Sequence, residues 1–295
     1  MEICVFGAGS LGTLVGGILA RENEVTLVGR EPHVGAVAES GVQITGEITE
    51  TVRPAAVTTP PEAADLAVVT VKSFDTPAAA RELAACSLGG VLSLQNGMGN
   101  EATLAGELDC PVLAGTCTYG ARLAAPGTVE CTGVGGITLG PAAGGHSRLA
   151  DRVGEIFRES GLETAVSTAM PAKLWEKLAV NAGINATTAL ARIPNGAVLD
   201  GSVHEIAKKA AHEAARVGRT AGHDLSGDRV VDRTFEVAAA TAANTSSMQQ
   251  DVLAERRTEI DAINGYVVDN AERPVLVNET LTALVRAWER ERGLR

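Results

Sequence analysis

The chain has 295 residues, 45% of them hydrophobic and only 3% aromatic, with a mean hydropathy of +0.11 and a formal net charge of −11. That length can bury a sizeable core and fits one or two globular domains. The acidic balance speaks against nucleic acid or an anionic membrane as a partner, yet it permits an anionic small molecule at a local basic site.

Five scattered cysteines contain no C-x-x-C pair and no disulfide-like framework, so a reducing, cytoplasmic setting is expected and no metal. The sequence opens directly on a strand, so no signal peptide is expected. No run of about 18 apolar residues marks a membrane span.

Residues 2–6 (Glu-Ile-Cys-Val-Phe) read as a short strand. They lead into Gly7-Ala8-Gly9-Ser10-Leu11-Gly12, then an apolar helical stretch over 13–21 and a second strand over 24–28. Strand, glycine turn, helix and strand within about 30 residues form the context in which G-x-G-x-x-G binds a dinucleotide. Gly7 permits the tight turn, Gly9 lets the backbone approach a pyrophosphate, and Gly12 lets the helix pack on the strand. The helix N-terminus offers unpaired N–H groups to the phosphates. At the end of the second strand, where NAD sites usually carry an acid, stand Gly29 and Arg30. A glycine leaves room for a 2′-phosphate and an arginine can pair with it, which favours NADP over NAD. Arg30 also reads as a plain surface cation, with Glu31 beside it.

Residues 66–71 are a continuous apolar run, as in a parallel sheet covered on both faces, and they end at Lys72. Residues 91–94 form another, ending at Gln95-Asn96-Gly97-Met98-Gly99. Ligands of open α/β sheets bind beyond the carboxyl ends of strands, which makes Lys72 and Asn96 candidates. A surface lysine and a simple Asn-Gly turn are the alternatives. Short β segments at 112–118, 127–131 and 136–139, then 163–166 after a helix, complete a first domain over 1–167.

From 168 to 295 helical periodicity dominates, with helices expected near 171–190, 202–222, 228–242, 248–271 and 278–291. Pro171 suits a first turn and Gly222 a C′ position, while Gly265 points to close packing or a kink. The first of these helices carries Lys177, Asn181 and Asn185 at i, i+4 and i+8, one polar column among Leu178, Ala179, Val180, Ala182 and Ile184. The column is either a ligand site or three solvated side chains. Further on, Ser246 or Ser247 caps a helix, a role compatible with a substrate contact. Glu259, eight residues after Asp251, shares a helical face with it and with Glu255. That face is either solvated or a wall turned toward Lys177.

Together, Gly7-Ala-Gly-Ser-Leu-Gly12, Val71-Lys72, Gln95-Asn-Gly-Met-Gly99, Trp175-Glu-Lys-Leu-Ala-Val-Asn181 with Asn185, Ser246-Ser-Met-Gln-Gln-Asp251 and Thr258-Glu-Ile-Asp-Ala-Ile-Asn-Gly265 resemble ketopantoate reductases (2-dehydropantoate 2-reductases) in the 6-phosphogluconate-dehydrogenase-like group. They stand in family order and span nearly the whole chain. The resemblance implies an α/β protein: an N-terminal, NADP-binding Rossmann dinucleotide domain over 1–167, and an all-α substrate and catalytic domain over 168–295. It implies NADPH-dependent reduction of 2-dehydropantoate to (R)-pantoate, on the route to pantothenate and coenzyme A. Lys177 would be the general acid and Glu259 essential in the site. Asn96, Asn181, Asn185 and Ser247 would contact substrate. Gly7, Ala8, Gly9, Ser10, Leu11, Gly12, Arg30 and Lys72 would contact the cofactor, with Asn96 and Glu259 also beside it. The sequence departs from the family where Glu272-Arg273 replaces a glycine before Pro274. The expected partner is a small 2-oxo acid, with neither nucleic acid nor membrane; a homodimer is an open expectation. A reductase of another branched 2-oxo acid, or a sensor that binds NADP(H) without turnover, are the alternatives.

Overall fold

Apolar runs too short for helices build the first part of the chain, several of them followed by a helical stretch. In the computed structural model, which describes residues 1–295, its strands are β1 (Glu2–Phe6), β2 (Glu24–Val28), β3 (Val42–Gly46), β4 (Glu50–Val52), β5 (Ala55–Val57), β6 (Ala63–Ala64), β7 (Leu66–Val69), β8 (Ser87–Leu88), β9 (Val91–Ser93), β10 (Val112–Cys117), β11 (Gly120–Ala125), β12 (Thr128–Gly133), β13 (Ile137–Pro141) and β14 (Thr164–Val166). Its helices are α1 (Ser10–Leu19), α2 (His33–Ser40), α3 (Thr76–Leu83), α4 (Asn100–Glu107) and α5 (Arg148–Glu159).

The main sheet has the order β14-β13-β10-β9-β7-β1-β2-β5. From β10 to β5 every neighbouring pair is parallel; β13 runs antiparallel to β10 and carries β14 parallel to itself. The chain leaves β1 toward β2 on one side and returns to β7 on the other, which makes the carboxyl ends of β7, β1 and β2 a topological switch point. β1 shows why its sequence is apolar from Ile3 to Phe6. Ile3 and Val5 enter one core with α1, while Cys4 and Phe6 enter the other with Ala79, Ala80 and Leu83 of α3 and Leu104 of α4.

A second sheet, β11-β12-β3-β4, was not foreseen, nor was the edge strand β5. It sandwiches α1, whose residues from Gly12 to Leu19 are all buried. A side chain at Gly16 would strike Leu27 of the main sheet, and one at Gly17 would press on Ile44 of the second. A helix apolar on every side needs such double cover.

After β14 the chain is helical: α6 (Met170–Ala191), α7 (His204–Thr220), α8 (Gly227–Ala240), α9 (Ser247–Leu253), a π turn (Asp261–Gly265), α10 (Tyr266–Asp269) and α11 (Leu276–Arg290). The chain separates into two compact units, residues 1–95 with 100–170, and residues 171–295 with the short segment Asn96–Gly99. In the second unit α6 is central. From 178 to 189 every residue but Asn181 is buried. Trp175, Leu178, Ala182 and Ala186 join the larger core, and Val180 and Ile184 a smaller one. At Gly183 a methyl group would lie 2.9 Å from the Ala207 carbonyl of α7, so small residues let these two helices approach closely. Gly222, at φ +90°, closes α7 as expected. No helix is long and apolar enough to cross a membrane.

One expected helix is broken. Residues 248–271 do not form a single rod. At the end of α9, Glu255 takes a left-handed conformation (φ +50°), and the Arg256 N–H returns to the Asp251 carbonyl at 2.9 Å, a Schellman closure. Asp251, Glu255 and Glu259 therefore share no helical face. Glu255 is exposed, whereas Asp251 and Glu259 are buried.

Candidate active site

The glycine turn follows β1, and the structure gives its three glycines different tasks. Gly7 has φ +116°, and a side chain there would lie 2.7 Å from the Val71 nitrogen. At Gly12 a Cβ would lie 2.2 Å from the Gly7 carbonyl oxygen and 2.4 Å from Thr70 Oγ1. Thr70 fastens the turn by donating its hydroxyl to that same carbonyl at 2.8 Å. Gly9 is the opposite case: it is exposed, and the nearest atom to its would-be Cβ is 4.0 Å away. It is the N-cap of α1 and has no side chain, so no side-chain cap satisfies the first-turn N–H groups. The Ser10 hydroxyl accepts a hydrogen bond from the Leu123 backbone at 3.0 Å. Ala8 is buried, Leu11 half-buried.

Arg30 follows β2 with 89% of its side chain exposed, 3.5 Å from the Asp75 carboxylate. The space attributed to Gly29 is not open. A side chain there would lie 2.7 Å from Ala8 Cβ, so the packing of the turn itself requires a glycine at this position. Glu31 accepts the Gly35 N–H at 3.2 Å. Lys72, after β7, is half-buried. The sheet order thus brings the glycine turn, Arg30 and Lys72 to the ends of three adjacent strands.

Sequence reasoning missed His33. It is 6% exposed, and burial lowers its pKa. Its Nδ1 accepts the Gly127 N–H at 3.1 Å, so Nε2 carries the proton and donates to Thr13 Oγ1 at 3.0 Å. This neutral imidazole props the first turn of α1 one residue beyond the motif. The signal is Thr13, a hydroxyl among the apolar residues that follow the glycine motif.

Gln95 is structural. Its amide donates to the Val71 carbonyl (3.1 Å) and to Thr76 Oγ1 (2.7 Å), tying together the ends of β7 and β9. The next four residues join the helical unit. Gly97, at φ +80°, would place a side chain 2.5 Å from Ala262 Cβ, and the Met98 N–H donates to the Ala262 carbonyl at 3.0 Å. Asn96 is thereby carried on the segment that follows Glu259.

Lys177, Asn181 and Asn185 all lie on α6, as the spacing required; the first two are half-buried and Asn185 is 5% exposed. Two hydrogen bonds draw the other candidate segments onto this helix. Asn264 Nδ2 donates to the Ala182 carbonyl at 3.0 Å, which anchors the π turn after Glu259. Thr188 and Ser246 share a bond of 2.7 Å, which anchors the start of α9. Ser246 is the cap, accepting the Gln249 N–H at 3.2 Å, so Ser247 occupies the first helical position instead. Asn96, Lys177, Asn181, Asn185, Ser247 and Glu259 therefore belong to one compact unit, while the glycine turn, Arg30 and Lys72 belong to the other.

Such a chain is of the oxidoreductase class with a Rossmann-like first part, continued by helices that carry a lysine and two amides. The family model for ketopantoate reductase PanE/ApbA matches residues 3–144, and that for the ketopantoate reductase PanE/ApbA C terminal matches residues 169–289. The chain is 42% identical over 303 residues to the 2-dehydropantoate 2-reductase of Halobacterium salinarum, covering 99% of this chain and 100% of that one. It is 37% identical to that of Archaeoglobus fulgidus, covering 98% of each. The crystal structure of a PanE/ApbA family ketopantoate reductase from Ralstonia eutropha matches with a TM-score of 0.91 at 31% identity, covering 99% of this chain and 100% of that chain. The chain belongs to the ketopantoate reductase family.

Proposed function

We propose that the protein reduces 2-dehydropantoate to (R)-pantoate with NADPH as the hydride donor, in the cytoplasm. The observation that carries this reading is the Lys177–Asn181–Asn185 column on a buried helix, gathered into one unit with Ser247, Glu259 and Asn96, in a chain of this family. The residues suit a dinucleotide: the open space at Gly9 and the uncapped N-terminus of α1 accommodate a pyrophosphate. Ala8, Ser10 and Leu11 would line it, and Gly7 and Gly12 shape it. Arg30, and the absence of an acid in its place, favour a 2′-phosphate, and Lys72 adds a second cation at the same sheet edge.

When bound, a reduced nicotinamide supplies hydride to the C2 ketone carbon. Negative charge grows on the ketone oxygen, where the Lys177 ammonium stabilises it and passes on a proton to complete the hydroxyl. Asn181 and Asn185, one and two turns along the same face, hold carboxylate and hydroxyl without changing the charge of the site. Asn96 and the Ser247 hydroxyl add donors from two other segments. Glu259 orients the ammonium and balances its charge.

NADPH oxidation followed by absorbance, with 2-dehydropantoate against a panel of branched 2-oxo acids, tests the substrate. Higher kcat/KM for another oxo acid would reassign it, and NADPH binding without turnover on any of them would make the protein a sensor. Lys177→Ala is expected to lower kcat by at least about a hundredfold with the fold intact. Near-normal turnover in that variant refutes the proton-donor assignment.

A further inference from the structure

Glu259 occupies a stretch that no regular helix supports, between the Schellman closure at Glu255 and the π turn that begins at Asp261. Its neighbours are nevertheless fixed on both sides. Thr258, 1% exposed, donates both its backbone N–H (2.8 Å) and its hydroxyl (2.7 Å) to Oε1 of Glu289. The same hydroxyl accepts the Ile260 N–H at 3.3 Å. Glu289, in the last turn of α11, is completely buried, and its Oε2 accepts from Arg295 Nε at 2.8 Å. On the other side of Glu259, Asp261 pairs with Arg286 at 2.8 Å, with Arg257 at 3.6 Å and with the other end of the Arg295 guanidinium. Burial alone would raise the Asp261 carboxyl, but hydrogen bonds from Arg295 and Arg286 outweigh it and hold the group below its ordinary value.

A carboxylate buried this deeply is costly unless every lone pair is used. Glu289 spends its bonds on the backbone and hydroxyl of Thr258 and on one arginine, and that arginine also reaches Asp261. Thr258 and Asp261 flank Glu259, so the two fixed points determine where its side chain can go. We infer that Glu289 and Arg295 are positioning residues that preset Glu259 through Thr258 and Asp261. The inference rests on the reading that Glu259 works in the active site.

Steady-state kinetics on the full chain tests it by a double-mutant cycle, in which residues acting through one another fail to add. Arg295→Met and Glu289→Gln are each made alone and in a Glu259→Ala background, with Arg295→Lys as the conservative replacement and Thr258→Val as a milder cut should Glu289→Gln not fold. A displaced catalytic group commonly costs tenfold or more. Arg295→Met and Glu289→Gln, or Thr258→Val in its stead, are therefore expected to lower kcat/KM by about tenfold alone, but by less than about twofold once Glu259 is gone. Arg295→Lys should recover most of the loss. An equal loss in both backgrounds, or no loss at all, overturns the positioning role. If Glu259→Ala by itself leaves kcat/KM unchanged, the assignment of Glu259 fails first, and the separate effect of that single variant identifies this outcome.

Discussion

Replacing Gly9 and Gly12 by alanine in turn separates folding from cofactor binding inside a single motif. At Gly9 the backbone is extended (φ −84°, ψ −162°) and a methyl group would meet nothing closer than 4.0 Å. Alanine is a poorer N-cap than glycine by about 0.5–1 kcal/mol. The same change restricts the unfolded chain and returns about 0.4–1 kcal/mol. The two terms cancel, so the urea midpoint should hardly move. A methyl at this position stands where the phosphates would approach the N-terminus of α1. Loss of one charge-assisted N–H bond costs about 1.5–3 kcal/mol, or roughly 10- to 150-fold in Kd. Gly12→Ala inverts the pattern. Its methyl must displace the Gly7 carbonyl and Thr70, both held by the hydrogen bond between them. Overpacking against fixed atoms costs about 3 kcal/mol, or roughly 6–12 °C in Tm for a chain of this size. NADPH fluorescence titration and thermal melts of both variants provide the readout. A Gly9→Ala protein that binds NADPH as tightly as the parent would refute the reading of this turn as a phosphate cradle.

Cofactor choice is tested at Arg30: Arg30→Ala should raise the KM for NADPH by about 5- to 30-fold, a value reduced from that of a buried pair because the side chain is exposed. NADH should be affected less than about twofold, and equal effects on the two cofactors would leave no case for a 2′-phosphate contact. Because Asp75 sits 3.5 Å from Arg30, Asp75→Asn should lower the NADPH KM about two- to threefold at low salt, with the gain fading as ionic strength rises. His33 predicts a pH dependence. Its folded pKa lies below the ordinary 6.5, so the unfolded chain takes up the proton first as pH falls. Stability is complete above about pH 6.5 and declines as pH drops toward the folded value. Urea midpoints between pH 7.5 and 5.5 should fall further for the parent than for His33→Gln, and parallel slopes would remove His33 from the account.

What could be read from the sequence was whatever depends on local spacing. The glycine turn is read from the spacing of residues 7, 9 and 12, while Thr70, which fastens it from 63 residues away, is not. The α6 column follows from the helical period alone. The sheet formed by β3, β4, β11 and β12 could not be read in this way, because β3 pairs with β12 across some 85 residues and neither strand is apolar along its length. The break in 248–271 was hidden for a related reason. Every residue there tolerates a helix, and the left-handed closure falls on a glutamate rather than on a glycine. The anchor that restarts the chain at Thr258, Glu289, lies 31 residues downstream. The hardest distinction is between neighbours of equal polarity. Gln95 and Ser246 hold backbone in place, whereas the candidate substrate contacts are Asn96 and Ser247, one residue further on. Spacing points to both members of each pair. For Gln95 and Ser246 the destination of the hydrogen bond shows that the fold uses the side chain, so substitution there should change Tm.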